Sequence, residues 1–130
     1  RVQALEEIPP VEIKNEILRM TVMVQGQLKR VIDAYVTKNK EKALEVRNAD
    51  AAIDQHYQLI YNQIIEDIKN KPNKIKTLAN TKLLFTIKTI ERAGDHITNI
   101  AEEIFYTVTG ETLTTPRPKG ESEKWKLFSR

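Results

Sequence analysis

The sequence contains no cysteine and few of the residues that interrupt helices or build sheets. Its 130 residues include four glycines, and aromatic side chains make up 6% of them. A chain without cysteine has no disulfide framework, thiolate nucleophile or cysteine zinc site, and it fits a reducing compartment. The scarcity of glycine and of aromatic residues disfavours a β-sandwich.

Long hydrophobic runs are also missing from the sequence. No apolar run approaches the roughly 18 residues that a membrane-spanning helix needs, and no signal-peptide pattern opens the chain. Arg1 is not an initiator residue, so we expect a fragment or a processed chain. A chain of this length fits one compact domain that buries about two-thirds of its unfolded surface.

The net charge of +3 is concentrated at one end of the chain. Residues 1–111 hold 16 basic and 16 acidic residues, whereas residues 112–130 hold five basic and two acidic ones. A neutral body lacks the basic surface that nucleic acids require. We therefore expect no nucleic-acid partner.

Three long segments have apolar residues spaced alternately three and four apart, which is the spacing of one helix face. They predict helices at residues 11–37, 41–70 and 74–109. The connections between them are short and polar, so consecutive helices are expected to pack against each other in opposite directions. The predicted fold class is all-α: an elongated antiparallel three-helix bundle, spectrin-like in form, with a short extended C-terminal tail.

The tail, residues 112–130, departs from the helical pattern. Pro116, Pro118 and Gly120 oppose regular structure there, and the only tryptophan follows them. Its apolar end can dock on the bundle, on a neighbouring copy or on an anionic membrane surface. Docking on protein is favoured, because two or three apolar anchors bind membranes weakly.

Acidic residues recur at steps of four beside the apolar stripes of the second and third helices. Residues four apart lie on the same helix face. Aspartate disfavours helix interiors because its short side chain competes for nearby backbone groups, so a pair of aspartates in mid-helix suggests a compensating interaction. Gly94 also lets another backbone or an ion approach the third stripe. The candidate metal ligands are Asp50, Asp54, Glu91, Asp95, Asn99 and, by continuing the four-residue step, Glu103.

Two interpretations of these acidic residues are open. Carboxylates brought together from antiparallel helices repel each other, so some must be protonated, pair with cations or bind a metal. Oxygen ligands suit magnesium, manganese or ferric iron. The alternative is an exposed acidic face balanced by Arg47, Lys88 and Arg92 on a metal-free helical scaffold. Spacing alone favours the exposed face, because acidic helix positions are common.

The histidines do not strengthen a metal site or an enzyme. His96 lies about 100° around its helix from Asp95, which disfavours ligation of one ion by both. A di-iron carboxylate oxidoreductase typically uses Glu-x-x-His motifs. Here Ile53 precedes His56 by three residues and Ala93 precedes His96, and neither is acidic. We therefore predict that the protein is not an enzyme.

One run of residues resembles a known family. The segment ERAGDHITNIAEE at residues 91–103, followed by VTGE at residues 108–111, is similar to the closing helix of the PhoU family. Members of this family regulate phosphate uptake. The pair Asp50 and Asp54 also matches the family's acidic motif, in which an acidic residue is followed four positions later by aspartate. The resemblance covers about residues 8–111.

The resemblance implies a domain organisation and a cofactor. PhoU proteins are two similar three-helix bundles in tandem, and the two prolines at positions 9 and 10 resemble the start of the second bundle. Residues 1–10 are then the end of an interdomain helix and linker, residues 11–111 one PhoU domain, and residues 112–130 a tail without an inherited role. The family's acidic motifs imply a metal ion, with iron, zinc, nickel and manganese as candidates beside magnesium.

The resemblance also implies a function and partners. It predicts a negative regulator of phosphate uptake and of phosphate-starvation signalling, acting in the cytoplasm. The implied partners are the phosphate-specific ABC transporter and a sensor histidine kinase, so membrane contact is expected only through partners. A homo-oligomer is a further expectation, and a metal-free scaffold or adaptor is the alternative function.

Overall fold

Three helices account for nearly all of the chain that the structure describes. The computed structural model describes residues 10–70 and 73–113. In chain order the helices are α1 (Val11–Thr37), α2 (Lys40–Lys69) and α3 (Lys74–Thr109). Every helix packs on the other two, and α2 and α3 form the largest contact. The predicted all-α three-helix bundle is confirmed.

The predicted segments at the two ends fall mostly outside the described residues. Of the predicted linker, residues 1–10, the structure describes only Pro10, and of the tail, residues 112–130, it describes residues 112 and 113. Both segments therefore stay predictions.

Side chains and backbone geometry at the connections fix where the helices begin and end. Asn39 and Asn73 cap α2 and α3, each accepting a hydrogen bond from the backbone N–H three residues on, at 3.0 and 2.8 Å. Lys38, with φ of 53°, and Gly110, with φ of 76°, end α1 and α3 in left-handed geometry. Glycine fits such a position without steric cost. The tight connection between α1 and α2 is what sets these helices side by side.

The apolar core is divided into two clusters along the length of the bundle. One cluster lies toward the start of α1 and the other toward its end. Polar residues separate them: Gln27 on α1 is buried, and its amide donates to the carbonyl oxygen of Val46 on α2 at 2.7 Å. The first cluster comprises Ile13, Met20, Ile53, Tyr57, Ile60, Ile64 and Ile87, and the second comprises Val31, Ala34, Ala43, Val46, Ile97, Ala101 and Ile104.

The outer face of α1 carries a second apolar stripe. At about 100° per residue, its members lie on the side of the helix opposite the buried residues Met20 and Val31. An exposed stripe of this kind typically marks an interaction surface. We call it the α1 outer stripe; it consists of the exposed residues Val11, Leu18, Val22, Ile32 and Val36.

Within the described part of the chain, no helix combines the length and the apolar character needed to cross a membrane.

Two neighbouring residues of α2 test which face of the helix supports the fold. Ile60 is fully buried and Leu59 is exposed. Replacing Ile60 by Ala is expected to lower the free energy of unfolding by about 3 kcal/mol, because it removes buried methyl groups and leaves a cavity. Leu59→Ala, the matched control, is expected to cost less than about 0.5 kcal/mol. Urea unfolding measures both, and equal losses would show that the buried face is assigned wrongly.

Candidate metal centre

Three aspartates from two helices meet at the contact between α2 and α3. Asp50 and Asp54 on α2 and Asp95 on α3 each place one carboxylate oxygen so that the three oxygens lie within 4.8 Å of one another. Asp50 and Asp54 are fully buried, and Asp95 is partly buried. We call these residues the three-aspartate cluster. Buried carboxylates need compensating charge or hydrogen bonds, because leaving water is costly for an ion.

A glycine provides the space for the cluster. A β-carbon at Gly94 would lie 3.3 Å from Oδ1 of Asp50 and 3.6 Å from side-chain carbons of Ile53. Any side chain at this position would therefore press on the Asp50 carboxylate. The neighbouring Thr98 is also buried, and its hydroxyl donates to the Gly94 carbonyl oxygen at 3.0 Å. The cost of glycine in a helix interior, about 1 kcal/mol, is thus linked to this close approach of α2 to α3.

Two pairs of opposite charges flank the three-aspartate cluster. Nε of Arg47 lies 3.0 Å from Oε2 of Glu102, which joins α2 to α3. Nζ of Lys88 lies 2.9 Å from Oε1 of Glu91, within α3. When all are ionised, the cluster and the two pairs together hold five carboxylates and two cations, an excess of three negative charges. That excess favours the approach of a multivalent cation.

The structure brings together three of the six predicted ligands. Glu91 is buried and paired with Lys88, outside the three-aspartate cluster. Asn99 is exposed, and Glu103 lies further along α3, in a shallow cavity that Tyr35 also lines. A four-residue step on a helix turns about 40° beyond a full circle, so the ladder rotates progressively away from α2. The metal roles of these three residues stay predictions.

Arg47 and Tyr57 belong to the site but were not predicted as parts of it. Arg47 was expected to balance an exposed acidic face, yet its side chain is only 5% exposed. Tyr57 is buried one helical turn after Asp54, and Nζ of Lys88 lies 5.5 Å from the centre of its ring. The spacing of Arg47, Asp50, Asp54 and Tyr57 along one face of α2 was the available signal.

The environment of Tyr57 disfavours loss of its phenolic proton. Burial, then the negative charge of Glu91, and then Tyr61 raise the pKa of Tyr57 from 10.0 to about 12. The phenol is therefore neutral throughout the physiological range.

His56 lies outside this arrangement. Its Nε2 is 2.8 Å from Oε1 of Glu16, which places the pair between α1 and α2. His56 therefore lies at a contact of α1 with α2 and outside the three-aspartate cluster.

The fold and the site together define the class of protein: an all-α three-helix bundle with a buried carboxylate cluster where its second and third helices meet. The family model of the PhoU domain matches residues 17–104. This match covers all of α2, most of α1 and α3, and every residue of the three-aspartate cluster. The chain belongs to the PhoU family, as its acidic motifs and the segment at residues 91–103 predicted.

Relatives of the chain carry a common description. A protein of Caulobacter vibrioides is 42% identical over 120 residues, which are 92% of this chain and 51% of the relative. One of Rhizobium meliloti is 41% identical over 112 residues, 86% of this chain and 46% of the relative. One of Clostridium acetobutylicum is 36% identical over 102 residues, 78% of this chain and 46% of the relative.

Each of these relatives is described as a phosphate-specific transport system accessory protein PhoU homolog. The description is that of an accessory protein rather than an enzyme. The chain spans about half the length of these relatives. No solved structure matches the chain significantly.

The raised pKa of Tyr57 predicts how stability changes at high pH. Because the folded state holds the phenolic proton more tightly than the unfolded state, this contribution is fully present below pH 10 and is lost as the pH rises from 10 to about 12. Tyr57→Phe removes the phenolic hydroxyl and with it this contribution. Between pH 10 and 12 the free energy of unfolding of the variant is therefore expected to fall less steeply than that of the unchanged protein. Urea unfolding at several pH values measures the difference.

Tyr35→Phe is the control, since Tyr35 is exposed on α1. A Tyr57→Phe variant whose stability falls with pH as steeply as that of the control would contradict the assigned environment.

Proposed function

We propose that this chain is the metal-binding, partner-binding module of a cytoplasmic regulator of phosphate uptake. Family membership supports the link to phosphate transport. The single observation that supports metal binding is the convergence of three aspartates, two of them fully buried, between α2 and α3. Because the relatives are about twice as long, we propose that the chain acts as one bundle, the C-terminal one, of a two-bundle protein.

The residues present fit a metal ion. Asp50, Asp54 and Asp95 offer hard oxygen donors, which suit magnesium, manganese and ferric iron, and zinc and nickel are further candidates. Gly94 keeps side-chain atoms away from the place where the donors converge. A bound cation would offset the excess negative charge and tie α2 to α3. Asn99 and Glu103 lie on the exposed side of α3, so metal binding by either of them requires that side of the helix to rearrange.

The α1 outer stripe is the proposed surface for partners. This stripe exposes apolar side chains in the first half of α1 and again near its end. We propose that the phosphate-specific transporter or a sensor histidine kinase binds there, and that the protein suppresses phosphate-starvation signalling through these contacts. Pairing of two copies into a homo-oligomer is the competing use of the same surface.

A metal-free adaptor is the alternative function. The pairs Arg47–Glu102 and Lys88–Glu91 favour it, because they already offset part of the negative charge at the contact between α2 and α3. On this alternative the buried aspartates serve only to fix how the helices pack.

Replacing Asp50, Asp54 and Asp95 together by Asn tests the metal role. The change keeps the shape of the side chains and removes the charged donors, so the variant is expected to lose the metal that the unchanged protein takes up from Mn²⁺ or Fe³⁺ solutions. Even the loss of one residue that hydrogen-bonds to a metal ligand typically lowers metal affinity by about 10- to 100-fold, so the loss of three ligands is expected to abolish tight binding. Metal content after dialysis, measured by mass spectrometry, gives the result.

The matched control replaces Glu12, Glu41 and Glu111 by Gln, which makes the same change of net charge at exposed positions. It is expected to keep its metal. If the aspartate variant keeps as much metal as the control, the site is assigned wrongly. If the unchanged protein binds none, the metal-free adaptor is the better account.

Leu18→Glu combined with Val22→Glu tests the partner surface in the full-length protein. Two charges on the α1 outer stripe are expected to weaken binding to membranes that contain the transporter by about 100-fold or more. The reason is that loss of each central interface residue typically costs about 2 kcal/mol or more of binding free energy. Co-sedimentation with such membranes measures binding, and analytical ultracentrifugation measures self-association. Leu59→Glu, at an exposed position of α2, is the control. Unchanged binding and unchanged self-association would exclude the stripe.

A further inference from the structure

The two charge pairs beside the three-aspartate cluster differ in how easily they can open. Arg47 is 5% exposed, and it joins α2 to Glu102 on α3. Lys88 is 46% exposed, and its partner Glu91, three residues further along α3, is only 3% exposed. If Arg47 separated from Glu102, its positive charge would stay buried without a counter-charge, which is strongly unfavourable. A lysine at the surface can instead return its ammonium group to water, which costs less than leaving a buried arginine without its partner.

Glu91 borders the three-aspartate cluster. It stands four residues before Asp95 on α3, so both side chains lie along the same side of the helix. Its negative charge is close enough to raise the pKa of Tyr57, which follows Asp54 by one turn on α2. Glu91 is buried and its carboxylate pairs with the ammonium group of Lys88, which itself lies 5.5 Å from the centre of the Tyr57 ring.

We propose that Lys88 is a displaceable counter-cation that competes with the metal ion for Glu91. The inference depends on the proposed metal-binding function and concerns how that site is regulated. While Lys88 is paired with Glu91, the site has three carboxylates. When a metal ion enters, the ammonium group moves to solvent, and Glu91 becomes the fourth carboxylate.

This arrangement explains why a carboxylate outside the cluster is nevertheless buried beside it. In the metal-free state the ammonium group of Lys88 supplies the positive charge that Glu91 needs, and it contacts the face of the Tyr57 ring at the same time. Displacement weakens metal binding by the free energy needed to open the pair. Lys88 thereby sets a threshold of metal concentration below which the site stays closed.

Lys88→Met tests the proposal by titration of the purified full-length protein with MnCl₂ in a calorimeter. Removal of the competing ammonium group is expected to tighten Mn²⁺ binding on the order of tenfold. Glu91→Gln is expected to weaken binding by a similar factor. In the double variant, Lys88→Met should give no further gain, because the carboxylate on which it acts is absent. Lys82→Met, an exposed lysine of α3, controls for the loss of one positive charge.

The outcomes separate this inference from the metal-binding function itself. The proposal is supported if the Lys88→Met variant binds Mn²⁺ more tightly than the Lys82→Met variant and if this gain is absent when Lys88→Met is combined with Glu91→Gln. If the unchanged protein binds Mn²⁺ and Lys88→Met binds it within twofold of the control, the inference is wrong and the metal function stands. If no variant binds, both are wrong.

Thermal unfolding of the metal-free variants supplies a readout that distinguishes a structural role. A lysine that only stabilises α3 would lower the melting temperature of the Lys88→Met variant and leave its Mn²⁺ affinity unchanged. That result would also overturn the proposal.

Discussion

The burial of carboxylates between α2 and α3 is the constraint to which the rest of the structure responds. Asp50 and Asp54 lie without solvent exposure at the point where the two apolar clusters of the bundle are separated. Charged groups in such a place are costly unless opposite charge is near. Gly94, Arg47 and the pair formed by Lys88 and Glu91 all lie around this point. Packing, charge balance and the proposed function thus depend on the same few residues.

The division of the core bears on the proposed function. A cation bound at the three-aspartate cluster would offset negative charge on both sides of the contact between α2 and α3. The α1 outer stripe lies on the opposite side of its helix from the core. If this stripe is the partner surface that we propose, a change at the α2–α3 contact would reach a partner only through the packing of α1 on these two helices.

The fold could be predicted from local sequence patterns, whereas the candidate site could be predicted only in part. Helix periodicity and the capping residues Asn39, Asn73 and Gly110 act over a few positions, so the three helices were predictable from sequence. The acidic motifs and the closing helix identified the PhoU family. The burial of Arg47 depends on how α2 is rotated against α3, which no local pattern encodes. The pair of Lys88 and Glu91, three residues apart on α3, is local and could have been predicted from the sequence. The drift of each four-residue step around α3 leaves Glu103 away from the cluster.

The most direct test of this account is a crystal structure of the full-length protein grown with Mn²⁺, with anomalous scattering used to locate the metal. The account predicts an anomalous peak between α2 and α3 that is coordinated by Asp50, Asp54 and Asp95. Peaks confined to exposed carboxylates, with the three aspartates hydrogen-bonded to protein and no ion among them, would contradict it.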